Sequence, residues 1–553
     1  MRFRRAFGQP IRYAALLSGA IPVLAFPAAN LEFLGWIGLV PGLAVMSAAP
    51  SRREAAVRGW WFGAGYLLAN MYWLAPNLGP GLLLVAIVIG FLWSAVGLAV
   101  WSFTGPPISV RNACAALLVV PSSWLVTEWI RSWQGIGGPW AVLGASQWQH
   151  PAFLALAALG GIWLITFALV AANTGILLAI TAKSPPARLV GAVGALIAVF
   201  AGPIAFALTG PPTVARHITV ALIQPGIEPT AAVRLARGEA LTTGVASRAQ
   251  LFVWGESSVG YDLADYPSLL ASVERVSRLA GSQILLSQDG VNKAGAKSKD
   301  ALLVGGSGIV GSYTKTRLVP FGEYIPLRSA LGWLSSISRA AAQNVVPGTG
   351  AQVLHAQLRG GSPLTLGVLI CFESAFPDMS RVDTDRGAQV IFYQTSDSTF
   401  QSSWAPAQHA ALGALRAAET GRPAAQAALT GDSAAFDDRG RQLAWAGTSF
   451  RGALLVHLAL PVGSSRTLYD RLGDYVPWMA TVIAAVAALI GVMRFRRRRQ
   501  VTEYGLPVHA SVRVPLDGSR KAGGSTLASS HSGPGEPDAA TEPESAAAPR
   551  TDS

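Results

Sequence analysis

Charge is scarce in this chain of 553 residues: Asp, Glu, Lys and Arg make up 13% of it, against 51% apolar residues. That balance excludes an ordinary soluble globular protein, in which about a quarter of residues are charged, and points to a chain built into a membrane. Cysteine is scarcer still. The two present, Cys114 inside an apolar run and Cys371 in differently patterned sequence far downstream, exclude a disulfide framework. Lysine occurs only at Lys183, Lys293, Lys297, Lys299, Lys315 and Lys521, and every other basic residue save the histidines is arginine. Where a positive charge alone is needed the chain uses Arg, so an isolated Lys within a motif suggests a compact, deprotonatable amine. Metal-ligand spacings, a Gly-rich phosphate loop and a dinucleotide fingerprint are also lacking, so no metal and no cofactor is expected. The net charge of +13 lies in short clusters beside apolar runs and near the C-terminus. Membrane orientation signals are distributed in this way, and no nucleic acid is expected as a partner.

What is abundant is apolar sequence in runs near the ~20 residues that a helix needs to cross the hydrocarbon core. Residues 1–210 are read as a membrane domain with seven such spans, at 12–28, 31–48, 59–75, 82–103, 113–130, 155–181 and 189–208. The first is read as a span rather than a signal peptide, although Arg2, Arg4 and Arg5 precede it. From 214 to 462 the pattern changes to short β-rich runs punctuated by Gly, Pro, Asp and Ser. Among them are 217–223, 283–286, 366–370 and 390–393, with helix-like stretches at 264–279 and 406–419, which together predict an α/β or α+β sandwich. An eighth span, within 474–495, runs into Arg494, Arg496, Arg497, Arg498 and Arg499. Residues 500–553, rich in Ser, Gly, Pro, Ala and Glu, are expected to be a disordered tail. Basic residues in the short loops (Arg52, Arg53 and Arg58, Arg111, Lys183 and Arg188, and the C-terminal cluster) mark the cytoplasmic side. Seven spans before and one after then place the 214–462 domain outside the plasma membrane and both termini inside.

Three stretches of the outer domain put reactive groups at the ends of predicted strands. The run 251–254 leads through Gly255 to Glu256; Lys315 opens Lys-Thr-Arg-Leu-Val-Pro-Phe-Gly-Glu-Tyr at 315–324; and the run 367–370 leads to Cys371, Phe372 and Glu373. A strand end holds a side chain rigidly while leaving it open to a cleft, as a nucleophile requires. A strand Cys met alone is more often an inert core residue. Within this constellation Cys371 reads as a nucleophile, beside Glu256 as a proton acceptor and Lys315 as a fixed cation.

The order Glu, Lys, Cys resembles the nitrilase superfamily. The 315–324 run, the segment Glu128-Trp129-Ile130-Arg131 with Gly138-Pro139-Trp140 after it, and a nitrilase-like domain inserted between seven spans and one are similar to the apolipoprotein N-acyltransferase family over about 11–495. The resemblance implies an αββα sandwich on a polytopic helical membrane domain of about eight spans. It further implies a ping-pong acyl transfer from a phospholipid donor, through a thioester on Cys371, to the α-amine of a diacylglyceryl-cysteine lipoprotein. Glu256 would be the general base and Lys315 the stabiliser of the tetrahedral intermediate. Glu323, Phe372 and Glu373 would support them, in a protein expected to be a monomer. Either carboxylate could equally serve in a structural ion pair, as Glu128 and Arg131 do on this reading.

The sequence departs from the family pattern at several points. Phe372 stands where many members have Tyr, Ser396 and Asp300 where Asn is usual, and the 428–432 turn lacks the common Asn-rich sequence. Asp300 near the cleft would raise the pKa of Glu256 or draw Lys315 into a pair. Apolar residues Leu327, Leu331, Trp333, Leu334 and Ile337 fall near helical spacing, which predicts an amphipathic lid dipping into the outer leaflet or, equally, a core helix. Two other functions fit the same residues: a membrane-tethered nitrilase-type amidohydrolase, and a divergent paralogue with weak or no catalysis.

Overall fold

The computed structural model describes residues 10–210, 212–291, 295–332, 344–463 and 466–503. The described residues up to Val492 belong to one compact unit, and the described residues beyond it, 493–503, are helical. The N-terminal region is helical throughout, and the fold class read from sequence is the one observed. Among the described residues, five helices are long and apolar enough to cross a bilayer: Gly81–Thr104, Val110–Arg131, Pro151–Thr181, Pro185–Leu208 and Tyr475–Met493. The first two expected spans are shorter apolar helices, Pro10–Ala25 and Phe33–Ser47. The expected span 59–75 lies on Arg52–Asn70, which begins earlier and carries its charges at the start. There the Ser51 hydroxyl accepts from Glu54 N (3.2 Å), and the Glu54 carboxylate pairs with Arg12 (2.6 Å) and Arg58 (3.2 Å), so that buried charges are neutralised together.

The 31-residue helix Pro151–Thr181 is broken at Gly160 and Gly161, where Gly161 takes φ +69°. A Cβ there would lie 2.7 Å from the Tyr469 ring, so glycine is required twice over, for conformation and for room. The break frees the Ile162 N–H, which donates to Glu419 Oε1 at 2.8 Å. Glu419 belongs to the helix Ala405–Thr420 of the following domain. This contact carries the membrane region directly onto the α/β region.

Among the described residues, that α/β region has twelve strands in two six-stranded sheets. The first contains β1 (Val214–Gln224), β2 (Leu251–Trp254), β3 (Ile284–Val291), β4 (Lys297–Gly305), β5 (Gly308–Thr314) and β12 (Gly452–Pro461), in the order β12-β1-β2-β3-β4-β5. The second contains β6 (Val353–Gln357), β7 (Pro363–Ile370), β8 (Val390–Thr395), β9 (Ala424–Ala428), β10 (Ser433–Phe436) and β11 (Gln442–Ala446), in the order β11-β10-β9-β8-β7-β6. Alternate residues, such as Val220, Leu222, Val253 and Leu285 on one sheet and Leu366, Val368, Ile370 and Phe392 on the other, fill the space between them. Helices Ala231–Gly244 and Pro267–Ala280 cover the first sheet, while Pro377–Asp385 and Ala405–Thr420 cover the second. Apolar residues of that second helix layer are continuous with the core of the membrane region.

The last helix runs on to Glu503, past the expected boundaries at 495 and 500, because the Arg-rich stretch has good helix propensity. The rest of the expected tail, 504–553, lies outside the described residues. So do Trp333, Leu334 and Ile337 of the expected lid; its described start is a single turn, Arg328–Leu331, preceded by exposed Leu327.

Candidate active site

Three strand ends converge where the two sheets meet. After β2 the chain passes through Gly255, at which a Cβ would lie 2.0 Å from Leu429 N, so only glycine lets this edge approach the turn after β9. Glu256 follows, nearly buried, its N–H donating to Thr395 O at the end of β8 (3.2 Å). Lys315 follows β5 and is held by its own N–H to Lys299 O (2.9 Å). Its ammonium is fully buried and donates to Glu256 Oε1 at 3.2 Å and Glu323 Oε1 at 2.8 Å. Burial opposes the charge on Lys315, but Glu256 and Glu323 outweigh it and hold its pKa well above the ordinary lysine value. The scarcity of lysine suggested a deprotonatable amine; two carboxylates at hydrogen-bonding distance make this one a permanent cation instead.

Cys371 ends β7 and opens a tight turn, Cys371–Ala375, with φ +53°. A left-handed backbone on a residue other than glycine costs of order 1–3 kcal/mol and tends to mark a functional position. Burial raises the pKa of the thiol well above its ordinary value; Glu256 raises it further, while Lys315 opposes both. The resting sulfur is therefore a thiol, and its proton must be taken by a neighbour.

The expected supporting residues are all present around this centre. Glu323 joins Lys315 to its own loop, Oε2 accepting from Val319 N at 2.8 Å. Glu373 is fully buried and is held by hydrogen bonds from uncharged donors rather than by an ion pair among the described residues. Its Oε1 accepts from Tyr313 OH (2.7 Å), Thr316 N (2.7 Å), Thr316 Oγ1 (2.9 Å) and Arg317 N (2.9 Å), and its Oε2 accepts from Ile370 N (2.8 Å). One carboxylate thus clips the segment after Lys315 to the residue before Cys371. Phe372 packs edge-on against Phe376 (5.0 Å between ring centres). Gly138, at φ +73°, lies against both rings, where a Cβ would come within 2.9 Å of each.

Asp300 does not pair with Lys315. Its oxygens are occupied by Thr314 Oγ1 (2.7 Å) and Ser298 Oγ (2.8 Å), because the β4–β5 register sets it opposite Thr314. Nor do Glu128 and Arg131 form a contact ion pair among the described residues. Glu128 instead accepts from Leu143 N (2.9 Å) and Thr166 Oγ1 (3.3 Å), holding the loop that carries Gly138 and Trp140 to the helix Pro151–Thr181.

Two groups escaped the sequence reading. Asp397, after β8, faces His409 Nδ1 at 3.0 Å, and His409 Nε2 lies 3.1 Å from the Cys371 carbonyl oxygen and 3.0 Å from Ser374 Oγ. An aromatic wall closes the same side: Trp140 stands 5.3 Å from the His409 ring, Trp73 5.1 Å from Trp140, and Phe400 4.9 Å from Trp73. The Trp140 indole N–H donates to Gln408 Oε1 (3.1 Å), linking a loop of the helical region to the helix behind Cys371. Such a site can deprotonate a thiol, stabilise an oxyanion and seat an apolar chain beside the sulfur. No cluster of three metal-binding side chains occurs among the described residues.

Residues 18–175 match the family of the apolipoprotein N-acyltransferase N-terminal domain, and residues 219–465 match the carbon-nitrogen hydrolase family. An apolipoprotein N-acyltransferase of Chlorobaculum tepidum is 28% identical over 88% of this chain and 97% of its own length. One of Methylococcus capsulatus is 30% identical over 83% of this chain and 90% of its own. The chain belongs to the apolipoprotein N-acyltransferase family. Among solved structures, an amidase from Nesterenkonia sp. aligns with 48% of this chain and 97% of its own, at 20% identity and a TM-score of 0.34. Within the acyltransferase family pattern, Asp397 and His409 were hidden because they lie 12 residues apart on different elements. The available signal was the single histidine of an Ala-rich helix.

Proposed function

We propose that this membrane-embedded acyltransferase completes bacterial lipoprotein maturation, moving an acyl chain from a phospholipid to the α-amine of a diacylglyceryl-cysteine lipoprotein by way of a thioester on Cys371. The observation that carries the reading is the buried Lys315 ammonium fixed between Glu256 and Glu323, next to a thiol on a strained strand-end turn.

The steps follow from these groups. Glu256 takes the Cys371 proton as the sulfur attacks the ester carbonyl, and Lys315 holds the charge that develops on the carbonyl oxygen. Collapse of the tetrahedral species breaks the ester C–O bond, and the leaving lysophospholipid oxygen receives the proton from Glu256. The α-amine then attacks the thioester, Glu256 accepts the amine proton, and the C–S bond breaks to return it to the Cys371 sulfur. A thioester suits this relay because amines attack it readily and the thiolate leaves easily. Trp73, Trp140 and Phe400 would flank the chain, and Glu373 would keep Lys315 in register with Cys371. Phe372 offers a ring and no hydroxyl, so chain seating there is by packing alone. The basic short loops support an extracytoplasmic catalytic domain with both termini cytoplasmic.

The test uses the solubilised full-length enzyme with a phospholipid labelled in its acyl chain and a diacylglyceryl-cysteine peptide. Label in an alkali-stable amide on the peptide, lost in Cys371→Ala, is the expected result. Label released only as free fatty acid would contradict the proposal in favour of a hydrolase.

A further inference from the structure

His409 has no part in the proton relay just described, yet it is almost wholly buried directly behind the nucleophile. Its surroundings decide its protonation by simple matching of donors and acceptors. Nε2 faces the Cys371 carbonyl oxygen, which can only accept, so Nε2 carries a hydrogen. Nδ1 lies 3.0 Å from Asp397 Oδ1, and although burial opposes a charge on the ring, this carboxylate raises the His409 pKa and so favours the doubly protonated ring. Around it stand Asp397 and Thr395 from the end of β8, Cys371 and Ser374 from the nucleophile turn, and the Trp140 ring from the helical region, with the Glu256 carboxylate also favouring its charge. Burial works against its charge and Asp397 overcomes that.

We propose that His409 is a positioning residue: an imidazolium anchored by Asp397 that grips the Cys371 carbonyl, holding the nucleophile in its left-handed conformation and placing a positive charge at that residue's own backbone. Two independent features carry this. Cys371 adopts a backbone conformation that needs an external restraint, and the one ring nitrogen positioned to supply it lies within hydrogen-bonding distance of that residue's own carbonyl. His409 touches no reacting atom; it acts through Cys371.

The test reads the thiol itself. In a Cys114→Ser background, Cys371 alkylation by iodoacetamide is followed from pH 6 to 11 in the full-length enzyme, its His409→Ala and its His409→Gln variants. Loss of the positive charge removes an influence favouring thiolate, so both variants shift the midpoint upward, by roughly one pH unit, and slow alkylation at neutral pH about tenfold. Glutamine keeps an N–H for the Cys371 carbonyl, so His409→Gln recovers the high-pH rate that His409→Ala loses. Profiles that superimpose on the parent, with only the melting temperature lowered, would overturn the proposal, as would loss of fold in both variants, since either makes His409 merely structural. The inference rests on Cys371 being the nucleophile. Alkylation does not depend on acyl transfer, so a failure of transfer in the unmutated enzyme would strike that reading and leave the His409 result legible.

Discussion

At the scale of single residues, the site works through opposed charges on one thiol. Glu256 pushes the Cys371 pKa up and Lys315 pulls it down. Glu256→Gln therefore moves the midpoint of Cys371 alkylation downward, and Lys315→Met moves it upward, while both remove transfer activity. A shift of the same sign in the two variants would contradict the arrangement. For Lys315→Met, kcat/KM should fall by about 3 kcal/mol equivalent, roughly a hundredfold or more, by loss of the oxyanion partner. Glu373→Gln should lower stability by about 1–3 kcal/mol, read from thermal unfolding, because the new amide nitrogen must face one of the N–H donors that the carboxylate now satisfies. Much of this was legible beforehand. Glu256 and Cys371 each follow a run of apolar residues that reads as a strand, and Lys315 stands out where lysine is rare. The Asp397–His409 pair was illegible because its partners meet only after β8 and the helix Ala405–Thr420 have packed, and Asp300 was misjudged because strand register, which turns it toward Thr314, has no local signature.

At the scale of elements, the decisive feature is the break at Gly160 and Gly161. Hydropathy reports a continuous apolar run there and says nothing of the interruption, so an unbroken span was expected. The break is tolerated because the N–H that it frees finds an acceptor: Glu419, on the helix Ala405–Thr420, takes the hydrogen bond from Ile162 N. Gly161→Ala would meet both a left-handed backbone and the Tyr469 ring. It should destabilise the protein by about 1–3 kcal/mol, visible as a lower melting temperature in detergent. Unchanged melting would mean that the break is not held by this packing. The first two helices, Pro10–Ala25 and Phe33–Ser47, fall within three residues of the expected spans 12–28 and 31–48.

At the scale of the whole molecule, the outward face of the second sheet, the helix layer on it and the membrane helices share one continuous apolar core, in which Phe372, Ala375 and Phe376 of the nucleophile turn take part. The sandwich was readable because its strands alternate or run apolar in short bursts, a pattern that starts abruptly after the helical run. Orientation is testable with single cysteines in a Cys114→Ser, Cys371→Ser background. Ser307→Cys, on the exposed β4–β5 turn, should react with a membrane-impermeant maleimide on intact cells, whereas exposed Lys183→Cys should react only after permeabilisation. The reverse pattern would invert the topology.

The central claim, a thioester on Cys371, is tested most directly by intact-mass analysis of the purified enzyme after incubation with phospholipid, beside Cys371→Ala. An acyl-sized adduct that hydroxylamine removes, present on the unmutated chain and absent from the variant, is the predicted result. An enzyme that transfers acyl chains with no such adduct, or an adduct that persists in Cys371→Ala, would contradict it.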